Sequence, residues 1–245
     1  MILEVCTEGV PMSLDAAKAG ASRLELCSAI SEGGLTPSIG TIQQVCYHTN
    51  IPVHVMIRPR AGDFHYDESE FETMLADVRL AAKMGAKGVV FGILTSDGEV
   101  DVERCKRLVY ESNGMTTVFH RAFDMAADPY RALDDLQSIG INVLLTSGRR
   151  HKAIDGIEVI RQLASRANPS MQIMAGSGVN PGNASRLAST GIKALHFTCQ
   201  KPTPGKMLYQ NHELESMGSS TRDEYEIAVF DFEKFNAIKD VASNL

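Results

Sequence analysis

The chain has 245 residues, of which 44% are hydrophobic and 22% charged, and a formal net charge of −6. That length can bury a full core, and that composition excludes a disordered or low-complexity chain. The acidic balance, with no clustered Lys and Arg, argues against nucleic acid as a partner.

No linker rich in Pro, Ser or Gly divides the chain, so a single domain spanning 1–245 is expected. From Met1 to Cys6 an acid arrives before any basic or apolar leader could form. No run approaches membrane-spanning length. The five Cys are odd in number and lack C-x-x-C spacing, which fits a reducing compartment better than a disulfide scaffold. A cytoplasmic protein with no membrane partner is the expectation.

Ile2 to Cys6 reads as a first strand, followed by a helix capped by Ser13 and closed at Gly20, and Ser22 to Leu26 reads as a second strand. Pro37-Ser38 opens a helix with Ile39, Ile42, Val45 and Cys46 at helical spacing, and Pro52 introduces the strand Val53 to Ile57. From Asp67 to Met84 the residues Phe71, Met74, Leu75, Val78, Ala81 and Ala82 form one apolar stripe that stops before Gly85. Lys87 to Phe91 is the fourth strand, and Asp101 opens the next helix through Val102, Cys105, Leu108 and Val109. The fifth strand starts at Met115 and runs into Phe119-His120-Arg121-Ala122-Phe123-Asp124. It precedes Asp128-Pro129, which has the form of an N-cap with Pro at the first helical position.

The helix from Asp128 ends at Gly140. Asn142 to Thr146 is strand six, Asp155 to Ala167 its helix, and Met171 to Ala175 strand seven. Asn180-Pro181 repeats the cap-plus-proline signal before a short helix closing at Gly191, and Lys193 to Phe197 is strand eight. A long polar segment, Thr198 to Tyr225, then leads to a last helix capped by Asp231, with Phe232, Phe235, Ile238 and Val241 inward. A helix, a Gly, one or two residues and a strand recur at Gly20, Gly85, Gly140 and Gly191, where a left-handed cap and a tight turn favour glycine. Strand–helix units repeated this often in this length predict a single (β/α)8 TIM barrel. The rival, a doubly wound open sheet, lacks its G-x-G-x-x-G fingerprint at Thr7 to Met12.

Titratable residues at several strand ends place the candidate site at the C-terminal mouth of that barrel. His120 and Asp124 close strand five. Alternation puts Glu4 with Cys6 on one face of strand one, and Glu25 with Cys27 on one face of strand two. Neighbouring strands lie ~4.8 Å apart, so the two thiols can approach, and a soft thiolate pair favours Cu(I) or Zn. Two small buried hydrophobes are the plainer account of the same cysteines. Arg58 and Arg60 suit a carboxylate or phosphate clamp, although Arg58 could instead neutralise Glu4 or Glu25. His54 shares a face with Met56 and Arg58, where a satisfied core histidine is expected rather than a ligand. Gly176, Ser177 and Gly178 form a turn whose amides could cradle an anion, and a tight strand-to-helix turn accounts for the glycines equally well. Lys87 and Lys193 sit at strand starts, so no Schiff-base lysine is expected at the catalytic end.

Several longer motifs together resemble the copper homeostasis protein CutC family. They are Leu24-Glu25-Leu26-Cys27, Ser31 to Ser38, Ile57 to Phe64, Phe119 to Asp124 and Leu145-Thr146-Ser147-Gly148. The resemblance covers essentially the whole chain. It implies a TIM barrel, a cytoplasmic location, a homodimer or higher homo-oligomer and a role in copper handling. It also implies that Cys6 and Cys27 match cysteines proposed to bind Cu(I) in some members.

Two functions follow. One is a Cu(I)-binding protein using Cys6 and Cys27. The other is an enzyme performing acid/base chemistry on a small anionic or phosphorylated metabolite. Glu4, Glu25, Arg58, Arg60, His120 and Asp124 would be its catalytic and clamping residues, with Gly176, Ser177 and Gly178 its anion-binding turn. A thiolate site alone does not require that many ionisable groups at one barrel mouth.

Overall fold

The computed structural model describes residues 1–211, 213, 217 and 223–243. Strands β1 (Ile2–Glu8), β2 (Arg23–Cys27), β3 (Val53–Met56), β4 (Gly88–Phe91), β5 (Thr116–Phe119), β6 (Val143–Thr146), β7 (Gln172–Gly176) and β8 (Ala194–Thr198) pair in that order. All are parallel, and β8 returns to β1, which closes a barrel. The helices between them are α1 (Gly9–Ala19), α2 (Ile39–His48), α3 (Glu68–Lys83), α4 (Val102–Glu111), α5 (Pro129–Ser138), α6 (Ile157–Arg166) and α7 (Ala184–Ala188), with α8 (Phe232–Ser243) last. This is the TIM barrel.

Alternation along each strand divides the core in two. Val5, Leu24, Val55, Val89, Phe91, Phe119 and Leu195 face outward and join Phe71, Leu75, Val78, Leu108 and Leu163 of the helices in one large cluster. Burying each such side chain stabilises the fold by roughly 1.5–3 kcal/mol. The intervening residues Cys6, Cys27, Met56, Val90, Val118, Val143, Leu145, Met174 and Ala194 form a smaller cluster inside the barrel.

Local signals set most helix starts. Asp67 accepts from Glu70 N at 2.8 Å while Glu70 Oε2 accepts from Asp67 N at 2.9 Å, a reciprocal cap worth about 1 kcal/mol. Ser38, Asp101 and Asp128 cap α2, α4 and α5, with Pro129 at the first turn of α5. Gly20, Gly85, Gly140 and Gly191 all adopt positive φ, between 82° and 97°, as the repeated turn requires.

Elsewhere the structure corrects the sequence reading. α1 starts at Gly9, so Ser13 lies inside it, donating back to Gly9 O at 2.8 Å beside the Thr7 hydroxyl. Asn180 does not cap α7: its Oδ1 accepts from Gly182 N at 2.9 Å, and the helix starts only at Ala184. α6 starts at Ile157, after a short 3₁₀ turn over Ala153–Gly156, rather than at Asp155. Asp231 accepts from Lys234 N at 3.1 Å as a cap would, and Phe235 and Ile238 are buried, but Phe232 is 44% exposed. Part of the polar segment is a strand, β9 (Gln200–Pro204), paired antiparallel with β10 (Glu226–Phe230). Residues 212, 214–216 and 218–222 of that segment lie outside the described residues. Among the described residues no helix is long and apolar enough to cross a membrane.

Candidate functional site

The centre of the barrel is ionic. Glu4 of β1 is fully buried, and register places it opposite Arg23 on β2 and His196 on β8. The Arg23 Nε donates to Glu4 Oε2, and His196 Nδ1 lies 2.8 Å from Glu4 Oε1. His54 Nδ1 stands 3.5 Å from the same carboxylate without hydrogen bonding to it. Burial pushes the Glu4 carboxyl up, but the His196 hydrogen bond and the charges of Arg23, His196 and His54 hold it down at about 2. Burial pushes His54 down to about 4, so it is a neutral core histidine, and its ring fills the space that a side chain at Gly88 would take.

Directly above this layer sit the thiols. The sulfurs of Cys6 and Cys27 are 3.8 Å apart, and Cys27 Sγ is 3.4 Å from Glu25 Oε2. Contact with the Cys27 thiol and with His196 overcomes burial and brings Cys6 down to about 5, while the same contact and burial push Cys27 well up. Burial opposes protonation of His196, but Glu25, Cys6 and Glu4 around the ring outweigh it and raise the pKa. Burial pushes the Glu25 carboxyl well up, opposed by the charge of His196 and reinforced by those of Cys6 and Glu4.

Above the thiols a cavity of about 510 Å³ opens, lined by Cys6, Glu25, Met56, Arg58, His120 and His196 among others. Asp124, Ser177 and Gly178 also line it. Glu4 and Cys27 lie beneath that lining. Arg60 and Gly176 are not brought to the cavity: Arg60 pairs with Glu70 at 2.5 Å and stacks on Tyr66, while Gly176 packs on Leu145 and His196 inside the barrel. Arg58 neutralises neither Glu4 nor Glu25, because its guanidinium is held by the carbonyls of Glu32, Gly34 and Gly62. Asp124 ties the loop after β6, accepting from Thr146 Oγ1 at 2.6 Å, Ser147 N at 3.0 Å and Arg149 N at 3.0 Å, and pairing with Arg121 at 2.9 Å. At the Gly176–Gly178 turn, Ser177 O accepts from Ala153 N and Gly178 O from the Asn180 and Asn183 amides.

Among the described residues two sets of ligand atoms are close enough to hold a metal, Cys6–Glu25–Cys27 and Glu4–Glu25–His196, each within 4.8 Å of one another. They share Glu25. The first offers soft sulfur donors, the second only nitrogen and oxygen. Arg23 and His196 are absent from the sequence-derived site. Period two would have found both, since Arg23 shares the face of Glu25 and Cys27, and His196 sits mid-strand at the height of Glu4.

A closed eight-stranded parallel barrel with an ionic layer at its centre and a thiol pair above it, beneath a cavity, defines a TIM-barrel protein with a candidate metal or small-molecule site. The chain belongs to the CutC family, whose model matches residues 1–201. It is 40% identical over its full length to the human "Copper homeostasis protein cutC homolog", covering 90% of that protein. It is also 40% identical to a CutC family protein of Salmonella schwarzengrund, over 91% of this chain and 90% of the relative. The crystal structure of CutC from Streptococcus agalactiae superposes with a TM-score of 0.76 at 35% identity, over 80% of this chain and 98% of that one. Thiamine phosphate pyrophosphorylase from Pyrococcus furiosus shares the fold alone, at 11% identity and a TM-score of 0.59 over 99% of this chain and 95% of that one.

Proposed function

We propose that the chain is a cytoplasmic copper-handling protein that holds Cu(I) between Cys6 and Cys27. The observation that carries this is the 3.8 Å sulfur separation at the floor of an accessible cavity. Metal–thiolate bonds of about 2.3 Å span roughly 4.6 Å across a two-coordinate ion, so the sulfurs need part by less than ~1 Å. The neighbouring residues suit the task. Cys6 supplies a thiolate already balanced by protonated His196, and Cys27 releases its proton as the ion binds. The names of the human and Streptococcus relatives support copper as the cargo. X-ray absorption at the copper edge tests it: a near shell of two sulfurs is expected, and a shell of nitrogen and oxygen alone would move the ion to Glu4, Glu25 and His196.

A second reading, acid/base catalysis on a small anion, is favoured by Glu25 Oε1 and His120 Nε2. Both are buried without a protein partner, in residues lining the same cavity. A protonated Glu25 would serve as the acid and His120 Nε2–H as a hydrogen-bond donor. Turnover that is lost in Glu25→Gln but survives replacement of both cysteines would support it.

A further inference from the structure

Where β3 and β5 end, the cavity wall carries polar groups that the copper reading leaves unused. Arg58 is 5% exposed, and the three carbonyls that fix its guanidinium bring no negative charge. Among the described residues no carboxylate pairs with it, and its Nε is buried and unpartnered. The Tyr66 hydroxyl lies beside the same guanidinium, whose charge opposes the upward push of burial on it. His120 is 4% exposed, and its Nδ1 accepts from Ala122 N at 3.1 Å, which leaves the proton on Nε2. That N–H is also buried without a partner. Burial and the charge of Arg58 hold His120 at about 3, so the ring remains neutral. Phe64 packs against both, 5.2 Å from the Arg58 guanidinium carbon and 5.1 Å from the His120 ring.

A buried guanidinium without a counter-charge, beside an unused N–H donor, costs free energy unless a ligand supplies acceptor atoms and negative charge. We propose that this wall binds the carboxylate of a small organic acid, which accepts from His120 Nε2 and Arg58 Nε while its carbon chain rests on Phe64 and Met56. One uncompensated positive charge matches a monoanion. The remaining walls include apolar Leu145 and Val179, which suit the carbon chain of an organic acid better than a phosphate dianion with a second charge. This inference supplies the substrate class for the catalytic reading and is independent of the thiols. Binding without turnover would leave it standing and remove the catalysis.

The test is calorimetric titration of the full chain with acetate, butyrate and hexanoate, with their primary amides, and with inorganic phosphate. The acids are expected to bind more tightly as the chain lengthens and at least about tenfold more tightly than their amides, because hydrogen bonds to a charged group are the stronger kind. His120→Phe, which keeps the ring and removes the N–H, should weaken acid binding by about tenfold. Amides that bind as well as acids, phosphate that binds more tightly than any acid, no binding at all, or an unaffected His120→Phe variant would each overturn the proposal. The acid–amide comparison uses the unaltered chain, so a misfolded variant does not blunt it.

Discussion

The carboxylate of Glu4 and the guanidinium of Arg23 are joined by an ion pair at the centre of the barrel, linking β1 to β2 where the side chain of Glu4 is wholly buried. His196 adds the link to β8 on the other side of the same carboxylate. Glu4 is thus occupied by structure, and its role toward the cavity is indirect: together with Glu25 and Cys6 it raises the pKa of His196.

Replacing Glu4 by Gln keeps the shape and removes the charge, leaving Arg23 buried without its counter-ion. Breaking such a pair costs about 3–5 kcal/mol, and for a domain of this size that lowers the melting temperature on the order of 10 °C. Differential scanning calorimetry measures it. A shift of only a degree or two would mean that Arg23 finds another partner.

The same residue sets an acid limit. Its folded pKa of about 2 lies below the ordinary glutamate value of 4.5, so its contribution is present above pH 4.5 and is lost as pH falls from there through about 2. That loss is on the order of 3 kcal/mol. Urea unfolding across this range should show a steep decline in stability that is shallower in Glu4→Gln. Parallel curves for the two proteins would remove Glu4 as the source.

Asp124 makes a third prediction. Its oxygens take hydrogen bonds from Thr146, Ser147 and Arg149, and Arg149 is held at φ 64°, uncommon for a residue other than glycine. Asp124→Asn turns one acceptor into a donor that faces these donors, a cost of about 1–3 kcal/mol. Hydrogen exchange should rise in residues 146–152 while the β1–β2 region stays protected. Unchanged exchange in that loop would show that Asp124 does not hold it.

Much of this was legible in the sequence. The barrel followed from capped, striped helices alternating with short strands, and period two alone put Glu4, Cys6, Glu25 and Cys27 on the interior faces. Arg23 and His196 carry no signal of the ionic layer within their own strands, because only the register that sets each of them opposite Glu4 brings them into it. Arg60 was placed at the mouth by its nearness to Arg58. Which of two arginines turns inward depends on a tertiary partner, Glu70 on α3, that no local pattern announces. The β9–β10 ribbon was hidden by Pro202 and Pro204, which weaken any strand signal but are tolerated in a two-stranded edge ribbon.

The central claim is that Cys6 and Cys27 together hold Cu(I). Anaerobic titration against a competing chromophoric Cu(I) chelator measures it directly, in the unaltered chain and in Cys6→Ser, Cys27→Ser and the double variant. Loss of residues behind a metal ligand typically weakens binding about 10- to 100-fold, so loss of a ligand itself should cost at least about a hundredfold in either single variant. His196→Asn should fall within the smaller range. A double variant that binds Cu(I) as tightly as the unaltered chain would contradict the claim.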